Sequence, residues 1–267
     1  MHPLLPRSYK NLCPFKISAP SFIYPDDYVP NVRLLGPFLD EIELLCFESR
    51  ETSLPSRQTI QELESLAGEF DFTYNIHLPT DLDPGSVKRK VRDHFIERLL
   101  RIMDITLPLA ASTYILHLPF NDAKSPPSEK GCDIGWQDRI AECFSRLRDA
   151  GIQGSLFSVE TLDYPLERIE PVLQDYGLGV CLDVGHLILN GISVEKTYSR
   201  FSDCIKMIHL HGVQNGKDHQ PLDVFDQNYL SGIFFMLRTF TGSVSLEVFS
   251  FGHLLASLAV LEHVMAG

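Results

Sequence analysis

Gly179-Val-Cys-Leu-Asp-Val-Gly-His-Leu187 is the stretch whose reading decides the fold. Apolar residues run as far as Leu182; Asp183 and His186 follow, with Gly185 between them. A buried strand that stops abruptly in a carboxylate and an imidazole delivers both to a site at its C-terminal end. One such fragment could equally be a helix cap beside a hydrogen-bonded core histidine. Recurrence decides between the two. The runs ending at residues 79 and 119 both close on His-Leu-Pro, with His77 and His117 as their last polar groups. The run 154–161 carries Glu160, the run 206–211 carries His209 and His211, and the run 243–248 carries Glu247.

Two further apolar runs, 16–19 and 41–48, bring the strands to eight. Between them the spacing predicts helices over 31–38, 59–70, 86–103, 136–150, from 164 onward, 193–204, 229–240 and 253–264. In 86–103, Val87, Val91, Phe95, Leu99, Leu100 and Met103 form one stripe, and the basic residues between Lys88 and Arg101 read as its solvated face. Strand–helix units of about 30 residues with no linker predict one closed (β/α)8 barrel, a TIM barrel. It would span residues 1–267 as a single domain, with an irregular lead-in over 1–15. An open doubly wound sheet would place a glycine-rich phosphate loop after an early strand, and no such pattern is present.

Composition narrows the function. The formal net charge of −12 disfavours a chain that works on nucleic acid, where affinity comes from cations on phosphates. Even the long polar stretch 121–133, a candidate cover for a site, sets Lys124 and Lys130 against Asp122, Glu129 and Asp133. The six cysteines form no CxxC pair and read as free thiols. Without an apolar leader or a membrane-length run, the expected location is cytoplasmic.

In a barrel the strand ends converge on one mouth. His77, His117, Glu160, Asp183, His186, His209, His211 and Glu247 are therefore expected in one pocket. Mixed imidazole and carboxylate ligands suit Zn, Mn or Fe and not Ca. Carboxylates held this close would repel one another without a cation between them.

With these residues the chain is similar, over 16–265, to the xylose-isomerase-like barrels. These include apurinic endonucleases of the endonuclease-four type and many sugar isomerases and epimerases. Likeness to the endonucleases implies one to three divalent ions held by His77, His117, a bridging Glu160, Asp183, His186, His209, His219 and Glu247. The last loop departs, with Lys217-Asp218-His219 where the endonucleases carry Asp-Arg-His. Likeness to the isomerases implies only the tetrad Glu160, Asp183, His209 and Glu247, with the two glutamates passing a proton.

A narrower resemblance rests on Ser21-Phe-Ile-Tyr-Pro25, Tyr74-Asn-Ile-His-Leu-Pro-Thr-Asp-Leu82, Val159-Glu-Thr-Leu-Asp-Tyr-Pro165, Cys181 to Gly191, Ile208-His-Leu-His-Gly-Val213 and Leu246-Glu-Val-Phe-Ser250. Together these strings look like the bacterial cobamide-remodelling phosphodiesterases. That likeness implies hydrolysis of the nucleotide-loop phosphodiester of cobalamin-type cofactors to cobinamide phosphate and a lower-ligand riboside. Glu160, Glu247, His186 and Lys217 would serve catalysis, with Lys217 as a phosphate contact, and Tyr24 and His211 would serve corrinoid binding. The implied partner is a small molecule, a corrinoid or in the isomerase alternative a sugar phosphate, with neither nucleic acid nor membrane. A barrel that binds such a ligand without changing it is the non-enzymatic alternative.

Overall fold

The computed structural model describes residues 2–120 and 130–265, the side chains of 130–133, 227 and 228 excepted. In chain order the strands are β1 (Lys16–Pro20), β2 (Glu41–Leu45), β3 (Thr73–His77), β4 (Tyr114–Leu116), β5 (Phe157–Glu160), β6 (Gly179–Asp183), β7 (Ile205–His209), β8 (Gly212–Gln214), β9 (Lys217–Gln220) and β10 (Ser243–Ser245). All but β8 and β9 pair in parallel and close in the order β1-β10-β7-β6-β5-β4-β3-β2. The expected (β/α)8 barrel is therefore the fold. Closure leaves the barrel itself with no edge strand to protect.

The helices are α1 (Tyr28–Leu35), α2 (Arg57–Phe70), α3 (Arg89–Thr106), α4 (Lys130–Asp149), α5 (Glu170–Tyr176), α6 (Val184–Leu189), α7 (Val194–Phe201), α8 (Gln227–Leu237) and α9 (Phe251–Met265). Side-chain oxygens of Ser56, Ser193 and Asp226 accept the backbone N–H three residues on, which sets the starts of α2, α7 and α8. Several boundaries differ from the periodicity. The helix expected over 31–38 begins at Tyr28, that over 86–103 sits at Arg89–Thr106, and that over 136–150 begins at Lys130. Pro84, Gly85 and Ser86 form a turn before α3, and the backbone of Gly85 packs so closely on the Trp136 indole that a Cβ there would collide with it. Within the expected cover 121–133, residues 121–129 lie outside the described residues.

Alternation along the strands sorts side chains between two cores. One set, including Ile17, Ile42, Tyr74, Val159, Val180, Leu182, Ile208 and Val244, joins the large core beneath the helices. Ile115, Cys181 and Met207 form a separate cluster, the apolar plug of the barrel interior. Register pairs Glu160 with Cys181 and Asp183 with His209, so the polar strand ends stack on that plug and point into the mouth. The lead-in 2–15 has neither helix nor strand but buries Leu5, Tyr9 and Phe15. Cys13, Cys46, Cys143, Cys181 and Cys204 are free thiols. Among the described residues, no helix is long and apolar enough to cross a membrane.

Candidate metal centre

Six strands supply the centre. His77 ends β3, His117 follows β4, Glu160 ends β5, Asp183 ends β6, His209 ends β7 and Glu247 follows β10. Glu160 is the hub, 1% exposed. Its Oε2 lies 3.0 Å from Nε2 of both His77 and His117, and its Oε1 lies 3.2 Å from Nδ1 of His186. On the other side of the mouth, Nδ1 of His209 lies 3.1 Å from Glu247 Oε2, 3.6 Å from Asp183 Oδ2 and 3.6 Å from Glu160 Oε2.

Neighbouring groups hold these side chains in place. The Nδ1–H of His77 donates to the Leu78 carbonyl at 2.9 Å, which leaves its Nε2 lone pair facing the Glu160 carboxylate. Two acceptors 3.0 Å apart need a proton or a cation between them. Asp183 Oδ1 accepts the His186 N–H at 2.7 Å, so the carboxylate also caps α6. Gly185 has no alternative, because a Cβ there would run into the His211 ring. His211 Nδ1 accepts the His219 N–H at 2.9 Å, so its Nε2–H donates to Asp183, 3.2 Å away. His211 therefore reads as a support for Asp183.

The loop that carries Lys217-Asp218-His219 is a hairpin of β8 and β9, turned by Asn215 and Gly216 at φ 55° and 71°. It carries His219, itself at φ 50°, a sparsely populated conformation found at functional sites. The His219 Nδ1–H donates to the Glu247 carbonyl at 3.1 Å, leaving Nε2 free. His186, Asp218 and His219 bring ligand atoms within 4.8 Å of one another, so Asp218 stands where a third ion would need a carboxylate.

Electrostatics fit a multivalent cation. Burial alone would push Glu160 up, but His117 and His209 outweigh it and hold the carboxyl well below its usual range. Asp183 is lowered in the same way, chiefly by His211 and His209. Burial pulls the imidazoles down, yet Glu160 raises His77 to about 9, and Glu160 with Asp183 raises His186 to about 10. The cluster thus holds protons in positions that ligand geometry offers to metal. Both oxygens of Glu43, both nitrogens of His209 and Oε2 of Glu247 are buried with no aligned hydrogen-bond partner among the described residues. Unsatisfied groups of this kind are rare in a core and fit an ion at this point.

Glu43 is the residue that sequence reasoning missed. It sits inside β2, fully buried, with Oε2 3.3 Å from His209 Nε2, opposite the nitrogen that faces Asp183 and Glu247. Glu41, two residues earlier and equally buried, accepts from Thr73 at 2.8 Å and Asn75 at 2.9 Å. One glutamate is satisfied structure; the other orients a ligand imidazole, as carboxylates behind metal-binding histidines commonly do. Glu43→Gln should weaken metal binding by about 10–100-fold in a competition titration against a chelating dye. Unchanged affinity would remove Glu43 from the centre.

His77, His117, Glu160, His186, His219 and Glu247 line a cavity of about 250 Å³ at the mouth, with Leu45, Phe47, Thr80 and Phe249 among its other walls. Asp183 and His209 lie beneath its floor, fully buried. Lys217 is exposed at the start of β9 and is not among the cavity-lining residues. Tyr24 is 2% exposed and donates its hydroxyl to the Pro3 carbonyl at 2.8 Å.

A closed barrel with a histidine and carboxylate centre at the C-terminal ends of its strands defines a class, the metal-site (β/α)8 enzymes. The sequence model of the xylose isomerase-like TIM barrel family matches residues 35–263, and the chain belongs to that family. No curated protein matches it. Among solved structures it is similar to a D-tagatose 3-epimerase-like protein, with TM-score 0.76, 18% identity and coverage of 94% of this chain and 97% of that one. It is also similar to 3-keto-D-glucoside 4-epimerase from E. coli, with TM-score 0.70, 11% identity and coverage of 95% and 100%. A family 2 AP endonuclease from Brucella melitensis aligns with TM-score 0.64, 15% identity and coverage of 92% and 96%. At these identities the likeness establishes the fold.

Proposed function

We propose that the protein is a divalent-metal-dependent phosphodiesterase whose substrate is a small molecule, the nucleotide-loop phosphodiester of a cobamide. One observation carries the choice of chemistry. His77 and His117 both place Nε2 3.0 Å from the same oxygen of Glu160, a second ligand set beyond the four residues an epimerase employs. Bound divalent cations would neutralise the non-bridging oxygens and ease deprotonation of the attacking water. Glu160 lies between the His77 and His117 set and the Asp183, His209 and Glu247 set, so ions held by the two sets would act on one phosphoryl group. Thr161 holds Asp183 in place by accepting its backbone N–H at 2.8 Å. His186, partly exposed on the cavity wall, would protonate the departing ribose oxygen. A net charge of −12 argues against DNA as the substrate.

Lys217 has a separable part in this proposal. From its exposed position it would contribute charge near the phosphate and ligate nothing. Lys217→Ala should lower kcat/KM by about 10-fold, roughly 1.4 kcal/mol, with metal content unchanged. Loss of metal in this variant would move Lys217 from substrate contact to support of the centre.

Sugar epimerisation is the second reading. Glu160 and Glu247 both approach His209, so the four residues of the epimerase reading lie together, and the structural neighbours above include a 3-keto-D-glucoside 4-epimerase and a D-tagatose 3-epimerase-like protein. His77 and His117 would then hold sugar hydroxyls. The test incubates metal-loaded protein with an adenosylated cobamide and, separately, with ketoses and ketose phosphates, followed by mass and chromatographic analysis. Cobinamide phosphate supports the phosphodiesterase, and epimer interconversion without cobamide cleavage supports the epimerase. Ligand recovered unchanged from metal-bound protein points to a binding barrel.

A further inference from the structure

Phe22, Phe47 and Phe249 follow β1, β2 and β10, which are neighbours in the closed barrel. Their rings stand side by side along one arc of the mouth, 36%, 44% and 41% exposed. The Phe22 and Phe47 rings meet edge to face at 4.8 Å, Phe249 is 6.5 Å from Phe47, and the His219 ring is 4.8 Å from Phe249. They border a groove of about 630 Å³ that shares Phe47 and Phe249 with the metal cavity. Tyr24 stacks on Phe251 at 5.8 Å and is tied to Pro3, so the groove floor is fixed. Among the described residues no Asp, Glu, Lys or Arg lines the groove, and besides the tethered Tyr24 hydroxyl only His2 and Ser250 offer polar side chains.

Exposed rings beside the histidine and carboxylate cavity call for a flat apolar occupant. A sugar would need hydrogen-bond partners along its length, and this wall offers few. The groove also exceeds the metal cavity in volume, so a ligand that fills both is larger than a monosaccharide. We infer that the Phe22–Phe47–Phe249 wall is a stacking subsite for a flat, uncharged heteroaromatic base carried by the substrate. The inference rests on the phosphodiesterase reading, because it places the base of the leaving nucleoside beside the metal centre that cleaves its ester. Base–aromatic stacking tolerates different ring systems, since each presents a π-face. The subsite would accept a range of bases and exclude ring-free alcohols.

The test uses metal-loaded full-length protein, with benzimidazole ribonucleoside, adenosine and free ribose as probes in calorimetric titrations. Both nucleosides should bind and ribose should not. Phe47→Ala and Phe249→Ala should each weaken nucleoside binding by about 10-fold with metal content unchanged, and Phe47→Tyr should retain it. Nucleoside binding that is absent, or equal in wild type and both alanine variants, overturns the subsite. Cobamide cleavage is followed in parallel. Cleavage that the alanine variants leave intact overturns the subsite and keeps the phosphodiesterase. Ring-dependent nucleoside binding without phosphodiester cleavage keeps the subsite and overturns the chemistry.

Discussion

Glu160→Gln is expected to abolish turnover, by about 10³-fold or more, roughly 4 kcal/mol of transition-state stabilisation. The substitution preserves volume in a fully enclosed position, so the barrel should fold. It removes the single negative charge that His77 and His117 share at 3.0 Å and that approaches His186 at 3.2 Å and His209 at 3.6 Å. An amide oxygen is a far poorer bridging ligand than a carboxylate oxygen. The two ligand sets should then behave independently, and metal stoichiometry should fall alongside kcat. Steady-state kinetics paired with elemental analysis on one preparation checks both. A variant with full metal and more than a tenth of wild-type activity would refute the bridging role.

Chelation should produce the second large effect. Removing divalent ions should eliminate activity and lower Tm by about 10 °C. Ligand held at about 1,000 times Kd contributes about 4 kcal/mol, and each kcal/mol moves a chain of this size by roughly 2–4 °C. The pH dependence carries a sign. His77 and His186 are raised to about 9 and about 10, so without metal their pairing with the carboxylates is fully present below the unfolded value near 6.5. That contribution declines from about pH 6.5 upward and is gone above the folded values of about 9 and about 10, while metal gains as its proton competitors leave. The Tm gap between metal-loaded and chelated protein should therefore widen from pH 6 to pH 8.5. Identical melting curves with and without chelator would mean that the cluster holds no ion.

The barrel was legible because a parallel strand buried on both faces reads as an apolar run, and because each site strand breaks that run with a polar residue at its end. His77, His117, Glu160, Asp183, His209 and Glu247 could be found by that break alone. Glu43 could not. Inside Glu41-Ile-Glu-Leu-Leu it mimics the alternation of a half-solvated strand, whereas the face it occupies is the polar interior of a barrel. The strand also stops at Leu45, short of the expected run 41–48, which leaves Glu48 exposed. The hairpin of β8 and β9 was signalled by Asn215-Gly216, but the strands it joins are too short and polar to register as such. Tyr24, which the resemblance assigns to corrinoid binding, has its place in the fold set by Pro3 and Phe251, contacts no local pattern encodes.

The closure of β1 on β10 has a consequence for the order of events during synthesis. The side chains of the centre run from Glu43 to Glu247, and Glu247 reaches its position only when β10 docks between β7 and β1. A nascent chain that has released the first half of the barrel holds at most His77 and His117, without the carboxylate that joins them. Metal capture would thus be a late event that reports completed folding, and a partly made chain would offer no high-affinity site to the wrong cation.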